Sequence, residues 1–128
     1  MKYLTAEDIL HIHAVVVSET GGAHGLRDRE ALLSLSQAPR QSFGGKELYP
    51  TLFLKAALYA REIIMRHPFV DGNKRTGMSA AFVFLADNGY RATALKGDIE
   101  AIALRVISER LSVEEIATWF KMNFHGRK

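Results

Sequence analysis

The nine residues His67-Pro68-Phe69-Val70-Asp71-Gly72-Asn73-Lys74-Arg75 gather an imidazole, a carboxylate, a Gly-Asn pair and two cations. His67 is the one group among them that can take up a proton near neutral pH, and so deprotonate an incoming hydroxyl. If Asn73 is the N-cap of a helix, the amides of Gly72, Asn73, Lys74 and Arg75 point out of a helix start, where the macrodipole favours negative charge. This makes a phosphate-sized anion site. Lys74 and Arg75 add side-chain cations to it, and Gly72 lets a ligand approach without a Cβ in the way. An aspartate beside bare phosphate is out of place unless a divalent cation lies between them, so Asp71 reads as a ligand of Mg²⁺ bridging nucleotide phosphates. Phe69, an aromatic ring in a loop, reads as the anchor that pins the loop to the core.

Together these residues predict phosphoryl or nucleotidyl transfer to a hydroxyl: His67 as base, Asp71 acting through Mg²⁺, and the helix start with Lys74 and Arg75 stabilising phosphate charge. Taken singly, each residue also fits an ordinary connection between helices, with a histidine near one helix end and a capping asparagine at the next. Taken together they do not, because His, Asp, Lys and Arg gathered at one helix start are costly without an anionic ligand.

The segments flanking the motif must hold it still. Pro50 to Arg66 and Thr76 to Ala86 are apolar nearly all round, as expected of helices buried on all sides. Pro50 suits the first turn of the former helix, which continues through Leu52, Leu54, Ala57, Leu58, Ile63 and Ile64. That helix stops at about Arg66, because the residue before a proline, here His67, is pushed away from helical angles. The next runs from Lys74 to Asp87 and closes on Asn88-Gly89.

Upstream, Thr5 with Asp8 three residues on signs a capping box, and Ile9, Ile12, His13, Val16 and Val17 continue one helical face to Ser18. His11 and His13 are two apart and fall on different faces, so they do not read as a metal pair. Gly21-Gly22-Ala23-His24-Gly25 lacks the spacing of a phosphate cradle and reads as an exposed turn. Asp28 then caps a helix through Ala31, Leu32 and Leu35 that ends near Pro39. From Arg40 to Tyr49 helical periodicity is lost. Phe43 and Leu48 flank Gly44-Gly45, which fits a short β-hairpin or flap as well as a plain connection.

Downstream, Tyr90 to Ala94 reads as extended, Asp98 begins a helix through Ile99, Ile102, Val106 and Ile107, and Ser112 with Glu115 caps another. Trp119 and Phe120 on that last helix are placed in the core. The expected fold is all-α, a compact bundle of about six helices with a β-hairpin-like flap, and one domain is expected to cover residues 1–128.

Composition narrows the function classes. The chain has 48% hydrophobic residues, ample for a core, and no run reaches the roughly 18 apolar residues of a membrane helix. The N-terminal MKYLTAED turns acidic at once, so a soluble, cytoplasmic protein is expected. There is no cysteine, which excludes disulfides and thiolate chemistry. The net charge of +3 is scattered without a basic stripe, so direct nucleic-acid binding is not expected.

The motif resembles the signature HxFx(D/E)GNxR of the Fic family, and closely its Doc (death-on-curing) branch, where Lys follows Asn. Seven specified residues match, a coincidence on the order of one in 10⁹ per starting position. The likeness extends to GGAHGLRD, FGGKELYPTL and FLADNG in the same order. It implies a Fic core in which His67 is the catalytic base, Asp71 holds Mg²⁺, and Gly72, Asn73, Lys74 and Arg75 form the anion hole. It also implies that Ser42, Phe43, Gly44, Gly45, Lys46, Glu47 and Leu48 form a flap that aligns an extended target segment by β-type pairing.

Two departures bear on which phosphate moves. AMP-transferring Fic proteins usually have Gly where this chain has Lys74, and a second Arg where it has Met78. Without that Arg, and with Lys74 filling the space a glycine leaves open, ATP in the AMP-transferring pose is disfavoured. In Doc toxins the same Lys goes with transfer of the γ-phosphate to a Thr of translation elongation factor Tu. Some Doc members have Ala in place of Gly72, so the match to that subtype is incomplete.

Many Fic proteins carry an inhibitory helix of pattern (S/T)xxxE(G/N). No Ser or Thr here has Glu four residues on; Ser112, for example, meets Ile116. The resemblance therefore implies a separate antitoxin that folds as a helix into a groove. The expected activity is that of a Doc-like kinase using ATP and Mg²⁺ on elongation factor Tu. The alternatives are a Fic-type AMP transferase and a catalytically silent module that binds an antitoxin and regulates their operon.

Overall fold

The computed structural model describes residues 1–127. Six helices follow one another as α1 (Ala6–Thr20), α2 (Arg29–Gln37), α3 (Leu52–Arg66), α4 (Asn73–Asp87), α5 (Lys96–Ser108) and α6 (Val113–Asn123). Two small antiparallel pairs complete the fold: β1 (Ser42–Phe43) with β2 (Lys46–Glu47), and β3 (Tyr90–Ala92) with β4 (Phe124–Gly126). The six-helix, predominantly α architecture agrees with the pattern of apolar residues. Arg40 to Tyr49 holds a true hairpin, and the extended Tyr90 segment finds its partner in Phe124–Gly126.

The expected capping boxes form at Thr5 with Asp8 and at Ser112 with Glu115, and Asp28 caps α2 through the Ala31 amide. Three helix starts differ from those expected. Pro50 lies before the start of α3, because Thr51 is the N-cap and its hydroxyl accepts from the Leu54 amide. Helix α5 begins at Lys96, ahead of Asp98, which falls in the first turn where a carboxylate complements the helix dipole. Gly72, in a left-handed conformation, caps α4 in place of Asn73.

Helix α3 is the central element, in contact with α2, α4, α5 and α6. Residues Lys55 through Ala60 are buried without interruption, more than one and a half turns, so every face of this stretch is covered. One apolar cluster draws on all six helices and includes Phe120, while Trp119 packs against it half-buried.

Helix α4 lies closest to α3, and Gly77 is where the backbones meet. A Cβ on Gly77 would sit 2.9 Å from the Ala60 carbonyl oxygen and 2.8 Å from Ile64 Cγ1. The start of the chain is fastened to the same helix by Tyr59, whose hydroxyl accepts from the Leu4 amide at 3.0 Å. Burial pushes the Tyr59 phenol up to about 12.

Two expectations follow. At an exposed helix position Gly→Ala stabilises by about 1 kcal/mol, but overpacking a close contact costs about 1–3 kcal/mol. Backbone oxygen cannot swing aside, so Gly77→Ala is expected to lower stability, read as a reduced denaturation midpoint. For Tyr59 the folded pKa is raised, so its contribution is complete below pH 10 and is lost as pH rises through about 12. Melting temperatures across that window should fall less steeply in Tyr59→Phe than in the parent.

Candidate active site

Helix α3 ends at His67, whose backbone is left-handed with φ 50° and ψ 59°. A non-glycine residue there costs on the order of 1–2 kcal/mol, so its surroundings must hold it. They do so through the loop between α1 and α2. Arg27 Nε donates to the His67 carbonyl at 2.8 Å and its Nη2 to the Arg66 carbonyl at 2.9 Å. The guanidinium thus closes the C-terminus of α3, where the dipole favours a cation. The amides of Arg27 and Asp28 both donate to the Pro68 carbonyl, Leu26 forms a β-bridge with Phe69, and the Val70 amide donates to Gly25. The glycine-rich segment read as an exposed turn is therefore a clasp on the motif. Its role was not legible locally, because every one of these partners lies about 40 or more residues away.

Phe69 is buried at 1% exposure, as an anchor must be. The His13 ring stacks on it, with centroids 3.8 Å apart and planes at 4°. His13 Nε2 lies 2.8 Å from the Asp71 carbonyl oxygen; a carbonyl only accepts, so Nε2 carries the hydrogen. His13 is thus a support of the motif that sequence reasoning placed on the core face and gave no task. The signal was present: a polar ring on an apolar stripe requires a partner. His11 is exposed on another face.

Asn73 has a different job from the one expected. Its Oδ1 accepts from the Phe69 amide at 3.1 Å and its Nδ2 donates to the Phe69 carbonyl at 2.9 Å, closing the loop on itself. No side chain then caps α4, and the first amides of a helix have no intrahelical partner. They remain open to an anion. Gly72 is required for its φ of 77° and not for ligand access. A Cβ there would face Val17 and His13 at ordinary contact distances, towards α1.

The Asp71 carboxylate stands exposed beside this helix start. Its Oδ1 accepts from the Gly72 amide at 2.9 Å and its Oδ2 from the Ala23 amide at 3.2 Å. Gly22, at φ 111°, leaves the space the carboxylate uses: a Cβ there would lie 2.7 Å from Oδ2. His67, Asp71, Gly72, Asn73, Lys74 and Arg75 all line one cleft of about 530 Å³. Lys74 and Arg75 are exposed and take part in no ion pair among the described residues. Neither Phe69 nor the hairpin Ser42 to Leu48 is among its walls.

Among the described residues, no group of three His, Cys, Asp or Glu could hold a metal alone. One accessible carboxylate is enough for Mg²⁺ that arrives with nucleotide phosphates, because this ion keeps waters and phosphate oxygens as its other ligands. The donor set therefore fits a phosphate-borne divalent cation at Asp71 and does not fit a free-standing metal site. A second groove of about 440 Å³ adjoins the cleft, shares Lys74 and Arg75 with it, and is walled by Val16, Met78, Ile99 and Leu104. Met78 is 4% exposed.

A histidine at a helix end, a carboxylate and a glycine-led helix start with two cations outside any described ion pair thus meet at one cleft. The chain belongs to the Fic/DOC family, whose profile matches residues 3–85. It is similar to Toxin Doc of Mycolicibacterium smegmatis, 36% identical over 93 residues that cover 73% of this chain and 69% of that one. It is also similar to Protein kinase doc of Escherichia phage P1, 33% identical over 92 residues covering 70% of each chain. Within the family, then, it is a Doc-like member. No helix among the described residues is long and apolar enough to cross a membrane.

The clasp can be tested without any assumption about activity. Arg27→Ala is expected to keep the helical circular dichroism but lower stability by about 1 kcal/mol, since exposed charge-assisted hydrogen bonds are lost. The His67 ring resonances should shift and broaden in that variant as the left-handed turn loosens.

Proposed function

We propose that this protein is a Doc-like toxin that transfers the γ-phosphate of ATP to a Thr or Ser hydroxyl of a protein target, elongation factor Tu, and so blocks translation in the cytoplasm. The observation that carries the reading is that His67, Asp71 and the uncapped start of α4, flanked by Lys74 and Arg75, face one cleft. That set matches what phosphoryl transfer asks of a protein, which is positioning and charge stabilisation more than covalent chemistry.

In this reading His67 accepts the proton of the target hydroxyl, and the hydroxyl oxygen attacks the γ-phosphorus. The bond from that phosphorus to the bridging oxygen breaks, and ADP leaves with the electron pair. The open amides of α4 and the cations of Lys74 and Arg75 hold the phosphate oxygens while charge shifts between them. Asp71 would hold Mg²⁺, which when bound neutralises phosphate charge. The left-handed turn at His67 presents its imidazole to solvent at the cleft, where a protein substrate can reach it.

Met78 favours γ-transfer over AMP transfer. The Fic resemblance puts a second phosphate-binding arginine at this position in AMP-transferring members, and here the wall is buried and apolar. The 440 Å³ groove supports a separate antitoxin. Its apolar wall runs from α1 to α5 and ends at Lys74 and Arg75, so an amphipathic helix seated there with an acidic end would cover the anion site. The β1–β2 hairpin is the flap on which an extended target segment aligns.

One assay separates the readings: the protein, Mg²⁺, elongation factor Tu and ATP labelled on either the α- or the γ-phosphate. Label from γ alone is expected. Label from α would mean AMP transfer, and none from either would leave a binding module without catalysis. His67→Ala should lower transfer at least about 10²-fold with circular dichroism unchanged, because His67 is exposed and the loss of a general base is of that size. Undiminished transfer would remove its role as base. Asp71→Ala should lose both activity and its dependence on Mg²⁺.

A further inference from the structure

Lys55 lies in the first half of α3 with its side chain 0% exposed, an unusual place for a lysine. Its Nζ donates to the Pro39 carbonyl at 2.9 Å and to Glu47 Oε1 at 2.8 Å, and stands 5.5 Å from the centre of the Tyr3 ring. Glu47 belongs to β2 and is half exposed. The ammonium is therefore buried in the body of the protein while its counter-charge sits on the hairpin.

That pair has an outsized task because the hairpin has little else to hold it. Each strand is two residues long and every residue from Gln41 to Leu48 is exposed. An isolated hairpin of this size is marginal in water. Besides its own ladder it has two backbone bonds: the Leu48 amide to the Gln41 carbonyl, within the segment, and at its root the Gln41 amide to the Ala38 carbonyl. Among the described residues, the Lys55–Glu47 pair is the one side-chain hydrogen bond or ion pair that joins it to the helices.

We propose that Lys55 and Glu47 are positioning residues, a latch that fixes the hairpin for docking of the protein target. The inference rests on the hairpin being the target-binding flap. Ser42 pairs with Glu47 and Phe43 with Lys46, and directly opposed residues share a face of the ladder. With Glu47 turned to Lys55, Phe43 and Lys46 are turned away, and Phe43 is 82% exposed. The latch thus decides which face meets the target: a free aromatic ring beside a cation. The same rigid helix carries Lys55 and, twelve residues or about 18 Å further on, His67. Flap and base are set at a constant separation by one element.

Lys55→Met tests this cleanly. An apolar side chain of similar length in a buried site need not destabilise, and the abandoned Glu47 is already in contact with water. Glu47→Gln costs more, since it leaves the Lys55 ammonium buried with its charge unpaired. The expected pattern is that Glu47→Gln lowers the melting temperature more than Lys55→Met, whose one buried loss is the hydrogen bond to the Pro39 carbonyl. Both should speed amide hydrogen exchange in Ser42–Leu48. In Lys55→Met the KM for elongation factor Tu should rise about tenfold with kcat retained, the sign of a lost docking contact of about 1.4 kcal/mol.

Unchanged flap exchange in both variants overturns the latch. Faster exchange with an unchanged KM overturns its role in docking. If the parent protein transfers no phosphate to elongation factor Tu, the functional reading fails by itself, and exchange alone then decides the latch.

Discussion

His67 carries a left-handed backbone at the end of a buried helix, and nearly every contact around the motif serves to keep it there. The proline that follows forbids another helical residue, so the chain must turn. Left to itself the turn would sample several conformations, each aiming the imidazole differently. Arg27 removes that freedom by bonding the last two carbonyls of α3, and the Pro68 carbonyl is held by two consecutive amides of the same clasp. The strain of one residue is spread over a network of backbone bonds that are individually ordinary. Preorganisation of this kind means that little movement is needed when a substrate arrives.

The clasp works only because the helices beneath it do not shift. Gly77 at the α3–α4 contact lets the two backbones approach so closely that no Cβ fits between its Cα and the Ala60 carbonyl. The C-terminus of α3 and the N-terminus of α4 are thereby fixed at one end of the bundle, joined by a loop that Phe69 and Asn73 tie down from inside. Opposite helix ends meet there, one bearing the imidazole and the other offering open amides. An exposed imidazole and an uncapped helix start are set side by side by packing, without a dedicated scaffold around them.

Support for the site comes in layers that differ in chemistry. Phe69 supplies apolar burial, His13 a stacked ring and a hydrogen bond to the backbone of Asp71, and the α1–α2 loop an amide aimed at its carboxylate. The carboxylate is oriented yet exposed, so it keeps lone pairs for a further ligand. Asn73 shows the same economy: by folding back on Phe69 it orders the loop and leaves the helix start uncapped, which is the condition for holding an anion there. The β1–β2 hairpin is held differently, reached by a single buried cation and otherwise left to solvent.

Much of this was legible from the order of residues. Apolar periodicity, capping boxes at Thr5 and Ser112, and the break at Pro68 located six helices, because these signals act within about four residues of chain. The chemical types in HPFVDGNKR likewise named the groups that line the cleft. What the order of residues could not convey were contacts between distant segments: Arg27 with His67, His13 with Asp71, and β3 with β4. It also misassigned Asn73 and the reason for Gly72, since capping preference favours Asn locally while the neighbouring Phe69 backbone offered that side chain two bonds at once. Which reactive groups and which helices exist was settled along the chain, for those depend on local backbone preference and burial. How those groups are aimed and what holds them came from the folded chain, because orientation follows from hydrogen bonds and packing whose partners mostly lie beyond one helical turn.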